Sequence, residues 1–193
     1  MKIGIMGGTF DPIHNGHLHL ARTALTQFDL DQIWFMPNGM PPHKKQSSIE
    51  SDIHERIAMT RIAIKANKQF YLQEYEAKRE KVSYSYKTME HFRKIYPDDE
   101  FYFIIGADSL FSIETWKHPE RLFKACIILA ACRDEAATKE SLNGQIQMLK
   151  GKYGAYIKFL AMPLEHVSSH EIRKLIESGE PVSEYIPAEV EAY

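Results

Sequence analysis

Apolar residues in this chain fall in short runs separated by amphipathic stretches, and the alternation continues from end to end. Runs suited to strands occur at Ile3–Met6, Gln32–Met36, Phe70–Glu74, Phe101–Ile105, Cys126–Ala131 and Ile157–Ala161. Between most of them the apolar period lengthens to that of a helix. Leu18, Ala21, Leu25 and Phe28 form one such face, residues 52–66 carry Ile53, Ile57 and Ile64, and residues 85–96 end at Pro97. Residues 138–153 form a further amphipathic stretch interrupted by Gly144. A last helix is expected from Ser168 or Ser169 to about Glu177, stopped by Gly179 and Pro181.

Strands alternating with helices predict an α/β, Rossmann-like open parallel sheet with helices on both faces. Ligands of such sheets bind beyond the carboxyl ends of the strands. The unusual residues lie there: Gly7-Gly8 after the first run, Pro37 to Lys44 after the second, Gly106-Ala107-Asp108 after the fourth and Arg133 after the fifth. Loops far apart in sequence are therefore expected to share one rim. Gly39 to Ser51 is expected to be a mobile loop, and the charge run Glu74 to Lys81 a solvated face.

At 193 residues one substantial core suffices, and no repeat or low-complexity segment breaks it up. A net charge of −2 and a pI near 6.5 give no basic field for nucleic acid, so any phosphate binding must be local. Cys126 and Cys132 read as buried or half-buried thiols in a reducing compartment. The start lacks a signal peptide and no apolar stretch is long enough for a membrane span, so the expected location is the cytoplasm.

The chemistry concentrates in Gly7-Gly8-Thr9-Phe10-Asp11-Pro12-Ile13-His14-Asn15-Gly16-His17-Leu18, a strand end, a glycine turn and a helix start in one piece. Glycines let a backbone approach an anion, and a helix N-terminus directs free N–H groups and positive dipole at it. His14 in the loop and His17 in the first helical turn can converge on that spot. A metal site at His14, His17 and His19 is disfavoured: His17 and His19 point to different sides, and no cysteine or acidic partner stands at ligand spacing. Near the other end, Ser168-Ser169-His170-Glu171-Ile172-Arg173 offers a capped helix start with Arg173 one turn in, a second anion site.

These two segments resemble the signatures of the nucleotidyltransferase superfamily with His-x-Gly-His. Further segments are similar to those of bacterial nicotinate-nucleotide adenylyltransferases: Pro37-Asn38-Gly39-Met40-Pro41-Pro42-His43-Lys44, Ser83 to Thr88, Ile105 to Leu110, Thr115-Trp116-Lys117, Arg133 and Tyr185-Ile186-Pro187. The likeness implies one domain over residues 1–193, with 168–193 a C-terminal helical segment completing an ATP site. It implies transfer of the adenylyl group of ATP to nicotinate mononucleotide, with Mg²⁺ carried on the ATP phosphates and no protein metal site. In-line transfer of this kind asks for positioning and charge neutralisation without a covalent nucleophile.

By matched position, the resemblance assigns His14, His17, Lys44 and Arg173 to the reacting phosphates. Gly7, Gly8, Thr9, Phe10, Gly106, Asp108, Arg133, Ser168 and Ser169 are assigned to ATP, and Ser85 and Trp116 to the nicotinate nucleotide. Arg56 is a candidate for a further phosphate contact or only a partner for the neighbouring Glu55 and Asp52. His170 stands where the family usually has Thr, and Ser85 where Thr is common. The alternatives are a phosphopantetheine adenylyltransferase, whose relatives usually have Thr where His14 stands, another transferase of the superfamily, or a nucleotide-binding regulatory module. No nucleic-acid or membrane partner is expected, and a homodimer is left open.

Overall fold

The computed structural model describes residues 1–39, 49–79, 82–133, 136–162 and 168–193. They form one six-stranded parallel sheet in the order β3-β2-β1-β4-β5-β6. The strands are β1 (Lys2–Gly8), β2 (Gln32–Pro37), β3 (Phe70–Leu72), β4 (Glu100–Gly106), β5 (Ile127–Arg133) and β6 (Ile157–Met162). Each expected run is found, with ends moved by a few residues, and β3 is shortened most. The helices are α1 (Asn15–Phe28), α2 (Ile53–Ile64), α3 (Ser85–Ile95), α4 (Ala107–Ser112), α5 (Pro119–Ala125), α6 (Ala136–Tyr153), α7 (Ser169–Ser178) and α8 (Ala188–Glu191). The short α4, α5 and α8 were not expected from periodicity, because four to seven residues are too few to display it.

Both faces of the sheet are covered, which is why its strands are apolar at successive positions. Ile3, Ile5, Phe101, Phe103, Ile128 and Ala130 pack with α3, α4, α5 and α6. Their neighbours in sequence, Tyr102, Ile104, Leu129 and Ala131, pack on the other face with α1, α2 and α8. The central register sets Ile5 opposite Trp34 on β2 and Phe103 on β4. The outer edge of β6 is closed by Gln27, whose amide donates to the Phe159 carbonyl at 2.9 Å and accepts from the Ala161 N–H at 3.2 Å.

The inward face of α2 differs from the expectation built on its isoleucines. Arg56, Met59, Thr60 and Ile64 are buried, whereas Ile53 and Ile57 are only half-buried. The physical reason is Arg56, which turns inward to hydrogen-bond two main-chain carbonyls and rotates the buried stripe with it. The helix start is fixed by Asp52, whose Oδ1 accepts from the N–H groups of His54 and Glu55 while Glu55 bonds back to the Asp52 N–H.

Parallel strands place the ends of β1, β2, β4 and β5 on one rim, as expected. The order reverses between β1 and β4, so the crevice of such a sheet opens beside Gly7 and Gly106. The C-terminal segment crosses this rim: the Asn15 N–H donates to the Tyr185 carbonyl at 2.8 Å, and the Asn15 side-chain amide donates to Glu184 O at 3.1 Å.

Candidate functional site

After β1 the chain makes a turn that delivers two imidazoles to the start of α1. Gly8 is required there, because a Cβ would lie 2.8 Å from the ring of Phe10. The Cβ side of Gly8 is occupied by Phe10, which is buried, adopts φ 51° and meets the His17 ring edge-on at 5.0 Å. Gly7, by contrast, is exposed and faces a cavity.

His14 is the N-cap of α1 and His17 its third residue. Their rings lie 3.7 Å apart between centroids, inclined by 31°. The His14 N–H donates to His17 Nδ1 at 3.2 Å, which directs the Nε2 side of His17 outward as a donor in the neutral ring. His14 Nδ1 is buried without a hydrogen-bond partner, and burial lowers its pKa to about 4. At neutral pH His14 is therefore an uncharged imidazole.

Asp11 and two arginines fasten this turn to the rest of the rim. Asp11 is buried and accepts from the N–H groups of Glu50 and Ser51 at 2.9 and 3.2 Å. Arg173 of α7 donates to the Asp11 carbonyl at 2.6 Å, and its Nε stands 2.9 Å from Glu50 Oε1. Ser169 donates to the Pro12 carbonyl at 2.9 Å, whereas Ser168 caps α7 by accepting from the Glu171 N–H. The two signature segments, 162 positions apart at Asp11 and Arg173, are thus one unit. Arg56 donates from one nitrogen to Thr9 O at 2.7 Å and Asn38 O at 2.9 Å, so it ties two rim loops together. That geometry makes it a brace for the backbone and not a phosphate ligand.

Beside His17 lies a cavity of about 340 Å³ between the ends of β1, β2 and β4 and the first turn of α3. Gly7, His17, Ser85, Gly106 and Trp116 line it, five of the residues singled out from sequence. Trp116 is half-buried at the end of a 3₁₀ turn, and Lys117 follows it on the wall. Two wall residues, Asn38 and Ser83, hold buried oxygens with no hydrogen-bond partner, Asn38 Oδ1 and Ser83 Oγ, which suits a polar ligand.

The other candidates are placed less directly. Asp108 is exposed in the first turn of α4, and Arg133 ends β5 opposite Met162, with its side chain outside the described part. Lys44 and most of the loop expected to be mobile lie outside the described residues. His170 is exposed at the second position of α7. Sequence reasoning missed Asp11 and Asn38 as fasteners and misjudged the Glu74–Lys81 run. Glu74 does pair at the surface with Arg61 and Lys78, but Glu76 is buried on the cavity wall, where its carboxylate accepts from the Thr88 hydroxyl at 2.7 Å. A hydroxyl partner four residues into α3 gives no signal in a charge pattern.

Among the described residues, no group of three or more His, Cys, Asp or Glu could hold a metal ion, and no helix is long and apolar enough to cross a membrane. The donor set is nitrogen and hydroxyl, which suits anionic oxygens more than a bare cation.

Residues 5–175 match the cytidylyltransferase-like family. A Clostridium kluyveri protein named "Probable nicotinate-nucleotide adenylyltransferase" is 40% identical over 98% of this chain and 94% of its own length. A Carboxydothermus hydrogenoformans protein of the same name is 44% identical over 100% of this chain and 94% of its own length. The fold is shared with the Plasmodium falciparum nicotinic acid mononucleotide adenylyltransferase complexed with NaAD: TM-score 0.76, 20% identity, 98% of this chain and 93% of that one.

Proposed function

The chain belongs to the cytidylyltransferase-like family and, within it, to the nicotinate-nucleotide adenylyltransferases, and from that premise we propose that it transfers the adenylyl group of ATP to nicotinate mononucleotide. The products are nicotinate adenine dinucleotide and pyrophosphate, a step of NAD biosynthesis. A phosphate oxygen of the acceptor forms a bond to the α-phosphorus of ATP, and the bond from that phosphorus to the bridging oxygen of the β-phosphate breaks.

The observation that carries the reading is the joining of both signature segments into one unit, of which Gly7 and His17 line the cavity. His14 and His17 stand at the N-terminus of α1, where negative charge is favoured, and Arg173 reaches the same turn from α7. His14 acts as a neutral N–H donor, because its buried ring stays unprotonated at pH 7. Arg173, now on Asp11 and Glu50, supplies the fixed positive charge, with Lys44 as a second cation. Such donors act by stabilising charge that develops as pyrophosphate leaves.

The cavity takes the acceptor. Trp116 gives a flat face for the pyridine ring, and Ser85 at the start of α3 gives a hydroxyl for its carboxylate. Gly106, Asp108 and Arg133 border the adenosine side, and Ser168 and Ser169 hold the helix that completes it. Magnesium carried on the ATP phosphates would neutralise part of their charge. The setting is the cytoplasm, and a homodimer is testable by sedimentation equilibrium.

The test is pyrophosphate release from ATP and Mg²⁺ with nicotinate mononucleotide, its amide or phosphopantetheine as acceptor. Release with nicotinate mononucleotide, faster than with the other two, is the expected result. Turnover with phosphopantetheine alone, or ATP binding without pyrophosphate for any acceptor, overturns the proposal.

A further inference from the structure

Glu76 is a buried carboxyl group on the cavity wall that makes no ion pair among the described residues. Burying such a group is costly unless its bonds do something a leucine could not. Its carboxyl group accepts a hydrogen bond from Thr88 Oγ1 at 2.7 Å, and Thr88 is itself buried at the fourth position of α3. The same hydroxyl lies 3.5 Å from the Tyr84 carbonyl, which accepts from the N–H groups of Lys87 and Thr88. The bond thus lands on the turn that presents Ser85 to the cavity. The main chain of Glu76 reaches a second wall: a Cβ on Gly39 would lie 2.7 Å from the Glu76 carbonyl oxygen, next to Asn38. One residue therefore joins the loop after β2, the segment after β3 and the first turn of α3.

We propose that Glu76 is a positioning residue for the acceptor, holding the first turn of α3 through Thr88 in the place where Ser85 meets the ligand. The proposal rests on the acceptor lying in this cavity, as given above. A carboxylate so close to an anionic acceptor would repel it, and burial raises the Glu76 pKa above the usual carboxylate range despite the opposing Thr88 bond and the Arg79 charge. Glutamine should reproduce the role, since its amide oxygen can accept the same hydrogen bond without a charge.

The experiment measures KM for nicotinate mononucleotide, KM for ATP, kcat and thermal unfolding in Glu76→Gln, Glu76→Ala, Thr88→Val and Thr88→Ser. Losing one buried hydrogen bond at a ligand-facing turn should raise the acceptor KM about tenfold in Glu76→Ala and in Thr88→Val. ATP KM and kcat should stay within about twofold, and Glu76→Gln and Thr88→Ser should stay near the unaltered protein. Equal rises in both KM values, or an unchanged acceptor KM in folded Thr88→Val, overturn the proposal, and Thr88→Val decides it if Glu76→Ala does not fold. If the unaltered protein does not turn over nicotinate mononucleotide, the functional reading fails by itself. Amide exchange at Lys87 then judges Glu76: acceleration in Thr88→Val supports the positioning role, and an unchanged rate refutes it.

Discussion

Replacing Arg56 by methionine should damage the fold and the site together. The guanidinium is 2% exposed and bonds two main-chain oxygens, Thr9 O and Asn38 O, on either side of the rim. Methionine keeps most of the buried volume but leaves both carbonyls without that donor. Charge-assisted bonds contribute about 1.5–3 kcal/mol each, so the two together put the loss at roughly 3–6 kcal/mol. In a chain of this size about 1 kcal/mol shifts the midpoint by 2–4 °C, so calorimetry should record a fall of roughly 10 °C. Arg56→Lys keeps the charge but not the guanidinium geometry that sets Nη1 on both carbonyls, and should fall by about half as much. A methionine variant melting within about 2 °C of the parent would refute the bracing role.

His14 predicts an acid-side loss of stability. Its folded pKa, about 4, lies below the ordinary 6.5, so the unfolded chain takes up the proton first. The stability contributed by the neutral ring is complete above pH 6.5 and is lost as pH falls toward 4, by roughly 3 kcal/mol in all. Urea titrations across that window should show a shallower decline in His14→Gln, and parallel curves would contradict the assignment. Trp116→Ala should raise the acceptor KM about tenfold with ATP KM unchanged, as loss of a ring platform does. Gly39→Ala forces a Cβ against the Glu76 carbonyl and should cost about 1–3 kcal/mol, read by chemical unfolding.

The strands were legible because burial on both faces leaves short apolar runs with few competing explanations, and Phe101–Ile105 is the clearest. The imidazole pair was legible because its parts are local, three residues apart at one helix start. What escaped is tertiary. Arg56 looks like a surface charge until two carbonyls 18 and 47 residues away are seen to claim it. Gly8 reads as an anion cradle, and only the fold shows that its Cβ side is closed by Phe10. Glu76 sits in a run of charges in which Lys78 and Arg79 are exposed, and only the fold shows which one turns inward.

In the proposed reaction the His14–His17 pair at the start of α1 carries adenylyl transfer. Single-turnover transfer of label from α-labelled ATP into the dinucleotide, compared between the parent and His17→Ala, tests it most directly. Loss of one charge-stabilising donor should slow transfer by roughly two to three orders of magnitude. The variant should still bind ATP and unfold cooperatively. A folded His17→Ala protein that forms labelled dinucleotide at the parent rate would contradict the claim.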